Sequence, residues 1–293
     1  MIQIKKNKIL IINFFLFFLG ILIFYKISQK DEFTYFLDRV SFYFLISSAS
    51  FFLSIFFAST RFFYILKKKI EFKRIFILNL KSFFFYFFLP VGIGSDIYRF
   101  NFLKESLNKS KFQILNYLLF DRLIGLLSFL LLSLIFFSML IEKYILLTIF
   151  LITPIIIAVF NYYLSKFPQV KSDYFNNINI KDIYSILISS IISQLLLIIS
   201  IFLVIYFNEI VFSIINCGFI ISFSSILSLI PLSLLGLSAT ELSSYTLYTY
   251  YGLNESESLF LTLNHYFLKF LFSIIGGVYF FTEKINSKKL VNS

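Results

Sequence analysis

The stretch KSFFFYFFLPVGIGSDIYRF (residues 81–100) decides the fold of this chain. It begins as apolar as a membrane helix, but Pro90, Gly92 and Gly94 then interrupt it, and an acid and an arginine follow. Proline cannot continue a helix, and glycine permits backbone geometry that other residues resist. The pattern therefore predicts a break inside an apolar segment, with a new helix after the break.

The residues after the break fit two interpretations. Ser95 or Asp96 can cap the new helix, and Asp96 and Arg99 lie three residues apart, so they share one face and can pair. Broken backbone at membrane depth is tolerated only inside protein or beside a watery cavity, and its free amides would suit an anionic headgroup. The alternative is an ordinary cytoplasmic turn followed by a salt-bridged helix.

Composition places the whole chain in a membrane. Of its 293 residues 59% are hydrophobic and 14% are charged, with a mean hydropathy of +0.89. Such values exclude a soluble domain and predict an all-α polytopic membrane protein. One cysteine, Cys217, excludes an internal disulfide, and the single histidine, His265, argues against a His-rich metal site. We expect no cofactor, no metal and no catalytic residue.

Hydropathy and lysine placement together predict the topology. Apolar spans are predicted at residues 9–25, 40–66, 112–140, 144–164, 183–207, 210–230 and 256–282. If residues 75–90 dip in and return while residues 233–252 complete a crossing, most of the 26 Lys and Arg residues lie on one side. The positive-inside rule then predicts about eight crossings in the cytoplasmic membrane, with both termini cytoplasmic. We expect residues 1–293 to form one integral membrane domain, with no soluble domain.

A second break has the same plan as the first. The segment SLIPLSLLGLSATELSS (residues 228–244) interrupts an apolar run with Pro231 and Gly236 and places Glu241 among small residues. Interrupted hydrophobic segments at corresponding places in two halves point to a site between repeats. The two halves share little residue-level similarity, so the predicted repeat, with broken segments at about 75–100 and 228–252, is one of plan only.

An acid and an arginine, Asp121 and Arg122, lie inside a long apolar span. Ionisable residues there are costly and usually face a partner or a cavity. Neighbours on a helix point about 100° apart, so these two are not expected to satisfy only each other. Arg122 can reach Asp96, Glu241 or a lipid phosphate. The alternative is snorkelling to the cytoplasmic interface. A structural role is preferred for three further polar residues: Lys81, His265 and Lys269.

These motifs, in this order, resemble the transmembrane-domain family of lysylphosphatidylglycerol synthases, and the likeness spans nearly the whole chain. Members show Pro, a Gly pair, an acid and Arg at the first break, an acidic-Arg pair before Gly, and Pro, Gly and Glu at the second break. The matching residues are Pro90, Gly92, Gly94, Asp96, Arg99, Asp121, Arg122, Gly125, Pro231, Gly236 and Glu241. Two departures are Ser95, where a second adjacent glycine is usual, and Thr240, where an arginine commonly precedes the glutamate.

The resemblance implies a function in lipid handling. Full-length relatives add a soluble domain that attaches an amino acid to phosphatidylglycerol, and the membrane unit then moves the product between leaflets. Because this chain has no comparable soluble segment, we expect no aminoacyl transfer. We expect translocation of an anionic or modified phospholipid or of a polyprenyl-linked glycolipid. Stand-alone relatives often belong with polysaccharide assembly, so envelope or polysaccharide enzymes are expected partners, and nucleic acid is not.

Three hypotheses follow. The leading one is a flippase-like lipid translocase whose headgroup cavity is formed by the two broken segments. Its expected site residues are Gly92, Gly94, Asp96, Arg99, Asp121, Arg122 and Glu241, and its helix breaks are Pro90, Pro231 and Gly236. The second hypothesis is a membrane enzyme that transfers a sugar or phosphate group on a lipid carrier. The third is a scaffold for such a pathway that transports nothing.

Overall fold

The computed structural model describes residues 43–88, 93–107, 109–141, 180–227, 233–234 and 237–291. Eight helices and one pair of two-residue strands make up the regular structure of these ranges. The elements are α1 (Tyr43–Ile65), α2 (Phe72–Phe88), α3 (Ile93–Leu107), α4 (Lys111–Ile141), α5 (Ile180–Phe207), α6 (Ile214–Leu227), β1 (Ser233–Leu234), β2 (Leu237–Ser238), α7 (Ala239–Tyr250) and α8 (Glu255–Val291).

Four of these helices, α1, α4, α5 and α8, are long and apolar enough to cross a membrane. This confirms the predicted all-α polytopic architecture. The predicted spans at residues 9–25 and 144–164 lie outside the described residues. The strand pair is antiparallel, with Ser233 opposite Ser238 and Leu234 opposite Leu237, and it lies between α6 and α7.

The described helices form two halves of the same plan. Each half has a long helix, two shorter helices separated by a break, and a second long helix: α1 to α4 in the first half and α5 to α8 in the second. The most extensive helix packing joins α1 to α5, α2 to α8 and α4 to α6. If each helix of the first half is replaced by the corresponding helix of the second, the pair α1–α5 maps onto itself and the pair α2–α8 maps onto α6–α4. The repeat that the order of the breaks predicted is therefore present in the helix packing.

The two halves are inverted relative to each other. Serines join α1 to α5: Ser47 donates to the carbonyl of Ser200 at 2.6 Å, and the hydroxyls of Ser54 and Ser193 lie 3.3 Å apart. Residue numbers rise along α1 while they fall along the contacting face of α5, so these helices are antiparallel. Serines at helix interfaces are typical of membrane bundles because they permit close approach and hydrogen bonding.

The first break forms a helical hairpin. The ring of Phe85, near the end of α2, stacks on Tyr98, near the start of α3, with centroids 4.4 Å apart. The guanidinium of Arg74, at the start of α2, lies 6.0 Å from the ring centre of Phe102. The two arms therefore run back along each other, which confirms the re-entrant interpretation. The linking residues 89–92, with Pro90 and Gly92, lie outside the described residues.

The second break is also a hairpin, and here the structure corrects the predicted crossings. The rings of Phe212 and Tyr248 are 5.8 Å apart, so the start of α6 lies beside the end of α7. The two helices have 14 and 12 residues. They are about 21 and 18 Å long, well short of the roughly 30 Å of hydrocarbon. The helices α6 and α7 are thus the arms of one re-entrant hairpin, and the separate crossings predicted at residues 210–230 and 233–252 are wrong. Hydropathy missed this because residues buried in protein are as apolar as residues facing lipid.

Glycines allow the hairpins to pack closely against the long helices. A Cβ atom at Gly276 of α8 would lie 2.0 Å from the carbonyl oxygen of Leu80 in α2. A Cβ atom at Gly218 of α6 would lie 2.6 Å from the ring of Phe136 in α4. Both contacts belong to the pair of interfaces that the repeat relates, α2 with α8 and α6 with α4.

Candidate functional site

A cavity of about 410 Å³ with charged side chains in its lining lies between the two halves. Every described helix contributes to its lining, including both arms of each hairpin. The lining includes most of the ionisable residues that the apolar spans carry. Such residues inside a membrane domain mark substrate or ion pathways by default, since burying them in hydrocarbon is costly.

Asp121 of α4 lies at the centre of a network of charged side chains and is only 3% exposed. Its Oδ1 accepts a hydrogen bond from Arg61 Nε at 2.8 Å, and its Oδ2 accepts one from Arg99 Nη2 at 3.2 Å. The carboxylate thereby joins α1, α3 and α4. A charge buried this deeply persists only when it is paired, so Asp121 does not snorkel to the interface.

The other acid of the first hairpin, Asp96, forms an ion pair with Arg122 of α4. Asp96 and Arg99 were expected to be able to pair along α3, but each pairs instead with a residue of α4. This agrees with the helical geometry of Asp121 and Arg122, which point in different directions and take separate partners. Arg122 is the most accessible of the network's arginines, with 42% of its side chain exposed.

Sequence reasoning missed Arg61. It lies near the end of the predicted span at residues 40–66 and just before a cluster of lysines, so its position in the sequence suggests a cation at the membrane surface. The structure buries it to 8% exposure and gives it a second hydrogen bond, to Ser190 Oγ of α5 at 3.0 Å. A Cβ atom at Gly125 would lie 3.1 Å from Arg61 Nη1, so the glycine leaves room for the guanidinium. The available signal was an arginine within an otherwise apolar helix.

The second hairpin adds a buried ion pair. Glu241, in the first turn of α7, accepts a hydrogen bond from Lys269 Nζ of α8 at 2.6 Å. Glu241 is 2% exposed, and Lys269 lines the cavity. The predicted site residues Asp96, Arg99, Asp121 and Arg122 also line this cavity. The structure therefore brings charged residues of the two breaks to one place.

The match to known families fits this geometry. The family model described as "Lysylphosphatidylglycerol synthase TM region" matches residues 8–277. The chain belongs to this family. No curated protein and no solved structure matches the chain. Membership makes this a multi-pass membrane protein of a family concerned with lipid modification or translocation.

The lysylphosphatidylglycerol synthase TM-region match also gives meaning to one departure in the sequence. Thr240 stands where the resemblance leads us to expect an arginine. The threonine therefore leaves this position without a cation. Lys269 supplies a cation to the neighbouring Glu241 from a different helix. Lys269 thus makes a hydrogen bond between helices and also lines the cavity.

Two further polar residues of this family member are buried in different surroundings. His265, one turn before Lys269 on α8, is 2% exposed and lines the main cavity. Lys81 of α2 is 4% exposed and lines a smaller pocket of about 40 Å³ between α2 and α3. Of the predicted glycines, Gly94 is buried in the first turn of α3. Four predicted residues lie outside the described residues: Pro90, Gly92, Pro231 and Gly236.

Proposed function

We propose that this protein is a lipid translocase whose cavity receives the headgroup of an anionic phospholipid or a polyprenyl-linked lipid. The observation that supports the proposal is a cavity with a charged lining, to which both inverted hairpins contribute. In membrane transporters built from inverted repeats, the substrate site lies at the repeat interface beside broken helices. The family match, which concerns lipid-handling membrane proteins, supports the same function.

The charge of the cavity favours an anionic group. Four cations line the cavity, and three carboxylates form ion pairs with them. The cations are Arg61, Arg99, Arg122 and Lys269, and the carboxylates are Asp96, Asp121 and Glu241. One positive charge is therefore in excess, and low-dielectric walls strengthen its attraction for an anion. A lipid phosphodiester, with one negative charge, would balance the network.

Arg122 is the residue best placed to meet that phosphate. Arg61 and Arg99 are held by the buried carboxylate of Asp121, whereas Arg122 pairs with the more accessible Asp96 and is itself 42% exposed in its side chain. A planar guanidinium binds two phosphate oxygens at once, which an ammonium group cannot do. Exchange of Asp96 for a lipid phosphate at Arg122 would admit the headgroup without unpairing the buried network.

The inverted hairpins offer a route between the leaflets. Because α1 and α5 are antiparallel, the hairpins that follow them enter the bundle from opposite ends. Each hairpin contributes to the wall of the same cavity. Opening one hairpin at a time would expose the headgroup to one side and then to the other, while the acyl chains remain in lipid.

The proposal is tested by leaflet exchange in liposomes. Purified protein is reconstituted with fluorescent anionic, zwitterionic and polyprenyl-linked lipids, and exchange is followed by dithionite quenching of the outer leaflet. We expect headgroup-dependent exchange by the wild type and at least a tenfold loss in Arg122→Ala. Arg122→Lys keeps the charge but not the bidentate geometry, so we expect it to retain intermediate activity.

Two results would contradict this proposal, the first its assignment of Arg122 and the second translocation itself. Equal exchange by the wild type and Arg122→Ala would remove the role of the arginine. If no lipid is exchanged, the result favours one of the other two hypotheses: a membrane enzyme that acts on a lipid carrier, or a scaffold that transports nothing. Metal-dependent turnover of a polyprenyl phosphate, lost in Asp96→Asn, would identify the enzyme.

A further inference from the structure

We infer that His265 is a specificity-determining residue that binds a hydroxyl group of the lipid headgroup, at a subsite separate from the arginines of the same cavity. The inference rests on the proposed function, because it names the headgroup chemistry that the cavity would select. It assigns the cavity to phosphodiester lipids whose headgroup carries hydroxyl groups, such as a polyol or a sugar.

The first support is a buried side chain without partners. His265 is 2% exposed and lines the cavity. Neither its Nδ1 nor its Nε2 has a hydrogen-bond partner among the described residues. Buried polar atoms in folded proteins are nearly always hydrogen-bonded, and each exception calls for an explanation. A ligand group in the cavity would provide one.

The second support is the placement of the neighbouring charges. Lys269, one turn further along α8, donates a hydrogen bond to Glu241 at 2.6 Å, so the carboxylate of Glu241 already has a partner. The arginines lie on other helices, α1, α3 and α4, where Asp96 and Asp121 hold them. The cavity thus has a phosphate-binding wall of arginines and, on α8, an imidazole free to bind a different group.

The chemistry of imidazole selects that group. A neutral imidazole has one N–H donor and one lone-pair acceptor. A phosphodiester only accepts hydrogen bonds, so it can serve only the N–H nitrogen of His265. The primary ammonium of ethanolamine only donates, so it can serve only the lone-pair nitrogen, and the quaternary ammonium of choline has no N–H and serves neither. A hydroxyl group both donates and accepts, so the hydroxyl groups of a polyol or a sugar can serve both nitrogens of His265.

The experiment measures binding, so that it does not depend on transport. Detergent-solubilised full-length protein is mixed with equal amounts of phosphatidylglycerol and phosphatidylmethanol, and bound lipid is counted by native mass spectrometry. Both lipids carry one phosphodiester charge, but only phosphatidylglycerol has headgroup hydroxyls. We expect the wild type to prefer phosphatidylglycerol by about tenfold, consistent with one or two hydrogen bonds.

Three variants isolate the role of the imidazole. His265→Phe keeps the ring and should bring the preference close to one by weakening phosphatidylglycerol binding alone. His265→Gln keeps a donor and an acceptor and should restore part of the preference. Ser273→Ala removes another buried, unpartnered polar group of α8 that does not line the cavity, and it should leave the preference unchanged.

The outcomes separate this inference from the proposed function. A tenfold preference that is lost only in His265→Phe supports the hydroxyl subsite, even if leaflet exchange fails and translocation is abandoned. An unchanged preference in His265→Phe overturns the inference, whether or not the protein exchanges lipid. Equal binding of both lipids by the wild type, or binding of neither, overturns it as well.

Discussion

At the scale of single residues, the cavity depends on a carboxylate that three helices share. Asp121 lies on α4 and receives hydrogen bonds from Arg61 of α1 and Arg99 of α3. The ring of Phe62 packs under Arg99, whose Cζ lies 4.1 Å from the ring centre. Replacing one member of such a network leaves an uncompensated buried charge, which costs more than the pair itself contributes.

We therefore expect Asp121→Asn to destabilise the protein by about 3 kcal/mol or more, because it leaves both arginines short of a counter-charge. The single cysteine, Cys217, is buried, so thermal unfolding can be followed in detergent by its reaction with a thiol-reactive dye. Lys68→Ala provides the control, because it removes a surface pair with Asp182 whose lysine side chain is 51% exposed. Such pairs contribute about 0–1 kcal/mol. Equal melting of the two variants would contradict the structural role of Asp121.

At the scale of elements, each hairpin is held by close packing against a long helix of the other half. The rings of Phe87 and Phe270, on α2 and α8, are 5.6 Å apart. Gly276 of α8 lies so close to Leu80 of α2 that no side chain fits between them. Backbone atoms cannot move aside as a flexible side chain does, so this contact fixes the separation of α2 from α8.

We expect Gly276→Ala to force α2 and α8 apart and to destabilise the protein by about 1–3 kcal/mol, the usual cost of overpacking. Gly252→Ala is the contrast. Its Cβ atom would meet nothing within 4 Å, although its φ of +98° strains any other residue. It should cost about 1 kcal/mol and should leave lipid exchange intact. Gly276→Ala should lower both the melting temperature and the exchange rate. Unchanged melting and exchange in Gly276→Ala would show that this contact is not rigid.

At the scale of the whole molecule, the inverted repeat determines which loops share a side. Lys68, just after α1, pairs with Asp182 at the start of α5. The end of α1 and the start of α5 therefore lie on the same side of the bundle. Val211, between α5 and α6, and Tyr250, at the end of α7, lie at the opposite end of the bundle, and they are 96% and 81% exposed.

This arrangement predicts the labelling of single cysteines in intact vesicles, in a background with Cys217→Ser. Val211→Cys and Tyr250→Cys should react with a membrane-impermeant maleimide from the same side, because one hairpin joins them. Lys68→Cys should react only from the other side. Labelling of Val211→Cys and Tyr250→Cys from opposite sides would mean that the segment between them crosses the membrane once, and would rule out the hairpin.

The sequence by itself determined the class of the protein and the positions of its breaks. Hydropathy identified the four long helices, and proline, glycine and isolated charges identified the two breaks, because these residue types are rare and costly inside apolar helices. The same signals identified Asp96, Arg99, Asp121, Arg122 and Glu241, and each of these residues forms an ion pair in or beside the same cavity.

Only the tertiary structure decided the depth of the second hairpin, the pairing of the charges and the part played by Arg61 and His265. These properties depend on which helices are neighbours, and the contacts of α1 with α5 and of α2 with α8 join residues more than a hundred positions apart. Apolar patterning is alike for residues facing lipid and residues facing another helix. An arginine in an apolar run can be a snorkelling cation or a buried one, and its surroundings in space determine which it is.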